Sequence, residues 1–201
     1  MKTFILTTAI AFATILGISK SATAATATKE VSTVLTEVNT INEIEVHGNV
    51  LVYISDASAD QVKVYNSYYA ESALVQDQKG VLNIASYTPQ KLIVWVSVSD
   101  LRKLSVYDNA EVKSFGKLSA VDLDVKVYNH ANAQLDVDAS IASITLKDHA
   151  KADLSGLIGD GSFQYAPSAF LNTANLSVSH LTKTAKHEPI ADIDLFEFAA
   201  L

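Results

Sequence analysis

The sequence predicts an all-β protein whose N-terminal antiparallel strands merge into a right-handed parallel β-helix-like stack of 19–21-residue coils. Three observations carry this. First, the segments LSVYDNAEV, VKVYNHANAQL, ITLKDHAKADL and FQYAPSAFL each set a polar dipeptide and an alanine between two alternating strands. The dipeptides are Asp108-Asn109, Asn129-His130, Asp148-His149 and Pro167-Ser168, followed by Ala110, Ala131, Ala150 and Ala169, at steps of 21, 19 and 19 residues. A fixed period near twenty is the mark of a repeat architecture. Second, aligning the repeats on these kinks superposes Val106, Val127, Leu146 and Tyr165, and likewise Leu104, Val125, Ile144 and Phe163. A coil cannot cover its own apolar side, so it buries it against the next one. Third, the intervening residues are β-branched, short and alanine-rich, and no credible helix of about ten residues interrupts them. This argues against a leucine-rich repeat, despite the fragment Leu118-x-x-Val121-x-Leu123.

The elements follow in order. Residues 1–24 read as a signal peptide: Lys2, an apolar stretch over 4–18 and the A-x-A site Ala22-Thr23-Ala24. The stretch is too short for a confident membrane span, and nothing later approaches the ~20 apolar residues a spanning helix needs. The mature chain, 25–201, forms one domain, with an antiparallel portion over 25–100 and β-helical repeats over 101–201. A Thr-rich lead-in reaches a first strand near Val31. Ile41, Ile44 and Val46, then Val50, Val52 and Ile54, alternate around His47-Gly48-Asn49, which reads as a hairpin turn or bulge. Strands follow at 62–65 and 81–85, with a short helix or extended segment at 68–73. The run LIVWVSV over 92–98 is continuous enough to suggest burial on both faces, with Trp95 in the core. Gly116, Gly156, Gly159 and Gly161 mark further corners. The segment 193–198 is expected to cap the open end of the stack.

Composition narrows the function classes. Without Lys2 and Lys20 the chain holds 13 basic against 22 acidic residues, and Arg102 is its single arginine. This is not the electrostatic footprint of a nucleic-acid binder, nor a polybasic patch for anionic lipid. Cysteine is absent, so disulfides, thiol catalysis and cysteine-held metals are excluded, as is a lipid-anchored cysteine after the leader. An exported, cysteine-free chain fits the periplasm or cell surface of a Gram-negative bacterium. No cofactor is implied.

The pattern I-x-E-I-x-V-x-G-x-V-x-V-x-I over 41–54, the strand Gly80-Val81-Leu82-Asn83-Ile84, the apolar strand leading to Leu101-x-x-Leu104-x-Val106, and the kinked repeats behind a signal peptide together resemble the DUF2807 family. This is the auto-transporter adhesin head GIN domain of Bacteroidetes. The resemblance covers about 41–198. It implies an all-β fold of stacked, β-helix-like coils in a secreted or envelope-located protein. Where the family usually places Ser-Gly at each kink, this chain has Asp-Asn, Asn-His, Asp-His and Pro-Ser. Asn and Asp tolerate the left-handed conformation, so the kink geometry is expected to survive while its surface chemistry changes.

Three constellations are candidate sites. Stacked coils would bring Asp108, Asn129 and Asp148 into one column, and Asn109, His130 and His149 into the next. His130, His149 and Asp148 are candidate metal ligands, against a plain ladder of solvated turns. Tyr107 and Tyr128 precede consecutive kinks on the outward parity and would be exposed and stacked, able to hold a sugar, against ordinary strand composition. Tyr65, Tyr68, Tyr69 and Tyr87 add further aromatic surface. The pairs Asp122/Asp124 and Asp136/Asp138 each share a strand face and could serve acid–base chemistry on a glycosidic bond, against the polar outer face of a strand. No catalytic motif accompanies them; His187-Glu188 lacks a second zincin histidine.

The expected function is that of an exported, non-enzymatic binding or adhesion protein that contacts a glycan or an envelope or surface protein through Tyr107, Tyr128, His130 and His149. The alternatives are a polysaccharide-active enzyme using the acidic outer face, and a structural or sensing envelope protein that binds a partner chain.

Overall fold

A computed structural model describes residues 33–35, 40–65 and 73–185. The expected signal peptide, the segment holding Tyr68 and Tyr69, and the expected cap at 193–198 lie outside the described residues.

The described residues form twelve strands in one curled, mixed sheet. They are β1 (Thr33–Leu35), β2 (Glu43–Gly48), β3 (Val50–Asp56), β4 (Gln61–Val64), β5 (Ala73–Gln78), β6 (Val81–Ser86), β7 (Leu92–Val98), β8 (Lys103–Val106), β9 (Glu111–Val127), β10 (Asn132–Leu146), β11 (Lys151–Tyr165) and β12 (Phe170–Ala185). Strands β9, β10, β11 and β12 pair in parallel along their length, Glu111 with Asn132, Asn132 with Lys151, and Lys151 with Phe170. The sequence steps are therefore the sheet register. The inward columns are as expected: Val106, Val127 and Leu146, and Leu104, Val125, Ile144 and Phe163, are buried to 1% exposure or less. Ala110, Ala131 and Ala150 are fully buried beside them. Each fully buried Val, Leu or Ile contributes about 1.5–3 kcal/mol relative to exposure.

The longer first step has a local cause. β9 and β10 run 21 residues apart at Lys113/Gln134 and 19 apart at Lys117/Asp136. Two extra residues thus bulge from β9 around Phe115-Gly116, where Gly116 takes φ +82°. The Ser114 hydroxyl accepts the Asp136 N–H at 2.8 Å, satisfying an amide that the bulge would strand.

The N-terminal portion differs from the antiparallel arrangement expected for 25–100. β2 pairs in parallel with β6 and β8, and β3 in parallel with β7 and β9; among the described residues only β1–β4, β4–β7 and β5–β6 are antiparallel. Residues 47–49 are not a hairpin. Gly48, at φ +80°, turns the chain around a corner, and the Asn49 N–H donates to the Ser86 carbonyl at 2.6 Å. A Cβ at Gly48 would meet that carbonyl oxygen at 2.1 Å, so only glycine fits. The pair β2 and β3 lies in the sheet between β6 and β7 on one side and β8 and β9 on the other. Alternation records which face is buried, and it is the same in parallel and antiparallel strands.

Trp95 is a second correction. β7 alternates: Leu92, Val94, Val96 and Val98 are buried, and Ile93, Trp95 and Ser97 are half-buried on the outer face. Trp95 lies outside the core, against Tyr53.

Candidate functional site

The turns between β8 and β9, β9 and β10, and β10 and β11 gather the residues singled out in the sequence. In each repeat the N–H of the alanine donates to the carbonyl three residues back: Ala110 to Tyr107, Ala131 to Tyr128, and Ala150 to Lys147, each at 3.1 Å. The first kink residue sits in the left-handed region at Asp108 (φ 62°), Asn129 (59°) and Asp148 (57°), in register with Gly48. Pro167 takes the same place in the fourth repeat and is not left-handed, since its ring fixes a negative φ.

The left-handed residues are joined to one another. Asp108 accepts from the Gly48 N–H at 3.1 Å and from Asn129 Nδ2 at 3.2 Å. The Asn129 N–H donates to the Asp148 carboxylate at 3.2 Å, and the Ser168 hydroxyl to the Asp148 carbonyl at 2.5 Å. Tyr87 crosses the bare Gly48 and donates its phenol to Asp108 at 3.3 Å. Its pKa is raised above 10.0 by partial burial first, then by the Asp108 charge and hydrogen bond. With Tyr87 74% exposed, Asp108 is the contact that holds it.

Beside this runs an aromatic column. His47 stacks on Tyr107 at 4.4 Å and 3°, and Tyr107 on Tyr128 at 4.9 Å and 4°. The Lys147 ammonium stands 5.5 Å from the Tyr128 ring centre. Tyr107 and Tyr128 are half-buried rather than fully exposed, because each covers its neighbour's face. On the other flank His130 and His149 are exposed and stacked at 5.3 Å and 4°. Asp108, Asn109, Asn129, His130 and Asp148 line an open hollow of about 350 Å³.

The fold thus brings Tyr107 together with Tyr128, and His130 with His149. Asp148 lies beside the histidines, with its carboxylate toward the Asn129 amide. Among the described residues no group of three or more His, Cys, Asp or Glu side chains is gathered as a metal site. The paired aspartates fall at different points of the sheet: Asp122 lies opposite Ile141, and Asp136 opposite Lys117 and Ser155. Asp124 pairs with Lys126 at 2.7 Å and Asp138 with Lys117 at 3.4 Å. The Asp124 hydrogen bond foremost raises the Lys126 pKa.

Sequence reasoning missed His47 as the start of the aromatic column. The signal was present: Val46-His47-Gly48-Asn49-Val50 matches Val106-Tyr107-Asp108-Asn109-Ala110 position for position.

The family model described as "Putative auto-transporter adhesin, head GIN domain", DUF2807, matches residues 40–194. The chain belongs to this family. No protein of curated function matches the DUF2807 chain. Among solved structures, a "putative adhesin" from Parabacteroides distasonis ATCC 8503 aligns with a TM-score of 0.57 at 17% identity, over 76% of each chain. A "putative adhesin" from Parabacteroides merdae ATCC 43184 gives 0.55 at 14%, again over 76% of each. A "putative lipid binding protein" from P. distasonis gives 0.56 at 10%, over 76% of this chain and 77% of that one. At these identities the likeness is one of fold. No helix among the described residues is long and apolar enough to cross a membrane.

Proposed function

We propose that this DUF2807 chain is an exported, non-enzymatic binding protein of the adhesion type, which holds a glycan or a surface protein at the corner of its coils. It acts in the periplasm or at the surface of a Gram-negative cell, and its repeats wind as a right-handed β-helix. The observation that carries the reading is the unbroken stack His47–Tyr107–Tyr128, closed by Lys147 and flanked by His130 and His149. Aromatic rings held in place by their neighbours lose little side-chain entropy on contact. The exposed imidazoles and the Asp108–Asn129–Asp148 chain beside them offer hydroxyl-binding groups along the same line. Its shallow, open form suits a repeating ligand or a partner's surface better than one enclosed substrate.

The test is a glycan array read with the mature chain and with Tyr128→Ala, beside a thermal-shift screen with Zn²⁺ and Ni²⁺. Binding of one sugar class that is lost in Tyr128→Ala supports the reading. A shift with metal alone, lost in His149→Ala, replaces it with a metal site. Silence in both removes the small-ligand readings.

A protein partner is the second reading, favoured by one end of the sheet. Among the described residues β12 pairs only with β11, and it carries Phe170, 62% exposed, and Leu181, 42% exposed. A long strand edge with apolar side chains is a template for another chain.

A further inference from the structure

A second aromatic group lies away from the corner, on the outer face of β4, β7, β3 and β9. Trp95 and Tyr53 are register partners on β7 and β3, with ring centres 4.7 Å apart and planes at 28°. Phe115 tilts against Trp95 at 5.3 Å and 58°. Phe115 stands there, 64% exposed, because the two-residue bulge of β9 pushes it out of the ladder. Trp95, Ser97, Gln61, Lys63 and Tyr65 line an open hollow of about 260 Å³.

A lysine stands at each end of this aromatic row. Lys63 is the register partner of Trp95, and Lys113 that of Tyr53, so the row reads Lys63–Trp95–Tyr53–Lys113. Lys91, Lys103, Lys117 and Lys126 each contact a carboxylate; among the described residues Lys63 and Lys113, like Lys79, Lys147, Lys151 and Lys183, have none within ion-pair distance. Two unneutralised cations thus bracket an aromatic wall in a chain of net charge −7. They stand three strand spacings apart, about 14 Å, which is room for a short oligomer rather than one ring.

We propose that this face is a separate binding site for an acidic oligosaccharide. The apolar faces of the sugar rings rest on Trp95 and Tyr53, their carboxylates meet Lys63 and Lys113, and their hydroxyls bond to Gln61 and Ser97. Aromatic rings accept the C–H faces of sugars, and ammonium–carboxylate hydrogen bonds are the stronger polar contacts. A neutral glycan would leave both cations without partners.

Trp95 is the only tryptophan of the chain, so its fluorescence reports this site directly. The mature chain is titrated with hexagalacturonate, with maltohexaose as the neutral probe. The expected result is a saturable change with hexagalacturonate alone. It weakens about tenfold in Lys63→Gln or Lys113→Gln, fades in about 1 M NaCl, where screening reaches ~3 Å, and persists in Tyr128→Ala, which separates this site from the corner. Trp95→Phe, checked for folding by circular dichroism, binds more weakly by calorimetry. An equal response to maltohexaose, no response to hexagalacturonate, or full affinity in both lysine variants would overturn the proposal.

Discussion

Asn129 Nδ2 donates to Asp108 Oδ1 across 3.2 Å, tying together the left-handed residues of two successive corners. The left-handed conformation of each turn and the hydrogen bond between successive turns thus reside in the same residues. Replacing Asn129 separates the two effects. Asn129→Gly keeps the left-handed freedom and loses only the exposed bond, so a cost of about 0.5 kcal/mol is expected. Asn129→Val loses both and is expected to cost about 2 kcal/mol. Urea unfolding of the two variants distinguishes them, and equal losses would contradict the left-handed account.

Gly48 and Gly116 have nearly the same φ, +80° and +82°, in different surroundings. A Cβ at Gly48 lies 2.1 Å from the Ser86 carbonyl, while one at Gly116 meets nothing within 4 Å. Gly48→Ala should therefore break the β2–β6 ladder and cost about 3 kcal/mol or more. Gly116→Ala meets only backbone strain and should cost about 1 kcal/mol. Thermal melts of both check the difference.

Lys103 faces Glu43 from the neighbouring strand, in direct register. The hydrogen bond to Glu43 foremost raises the Lys103 pKa above 10.5. A raised amine pKa gives stability that is complete below 10.5 and is lost as pH climbs through the folded value. Lys103→Met should be less stable than wild type by about 0.5 kcal/mol at neutral pH, a surface-pair magnitude because the side chain is partly solvated. The gap should close in strongly alkaline buffer. A gap independent of pH would place the contribution in packing.

The core was legible in the sequence because the inward columns repeat on a fixed step. Leu104, Val125, Ile144 and Phe163 needed only the kinks at Asp108, Asn129 and Asp148 to be aligned, and the parallel register is that alignment. The stacking of Tyr107 on Tyr128 and of His130 on His149 followed from the same step. Pairing direction in the N-terminal half was not legible, because Ile44, Val46, Val50 and Val52 alternate alike in either direction. Nor was the insertion of β2 and β3 between later strands, which depends on contacts distant in sequence. Trp95 was misplaced because a run of apolar residues hides its own alternation: Ile93 and Trp95 face outward yet are as apolar as Val94 and Val96. His47 was missed because Gly48 stands where the other kinks carry Asp or Asn.

The central claim is that the aromatic column at the corner is the binding surface. Its most direct test is calorimetric titration of the array-selected glycan into wild type and Tyr128→Ala, with melting temperatures measured alongside. Affinity should fall by at least about tenfold, equivalent to about 1.4 kcal/mol, while the melting temperature moves little, because Tyr128 lies outside the buried core. Unchanged affinity in a folded Tyr128→Ala protein would contradict the account.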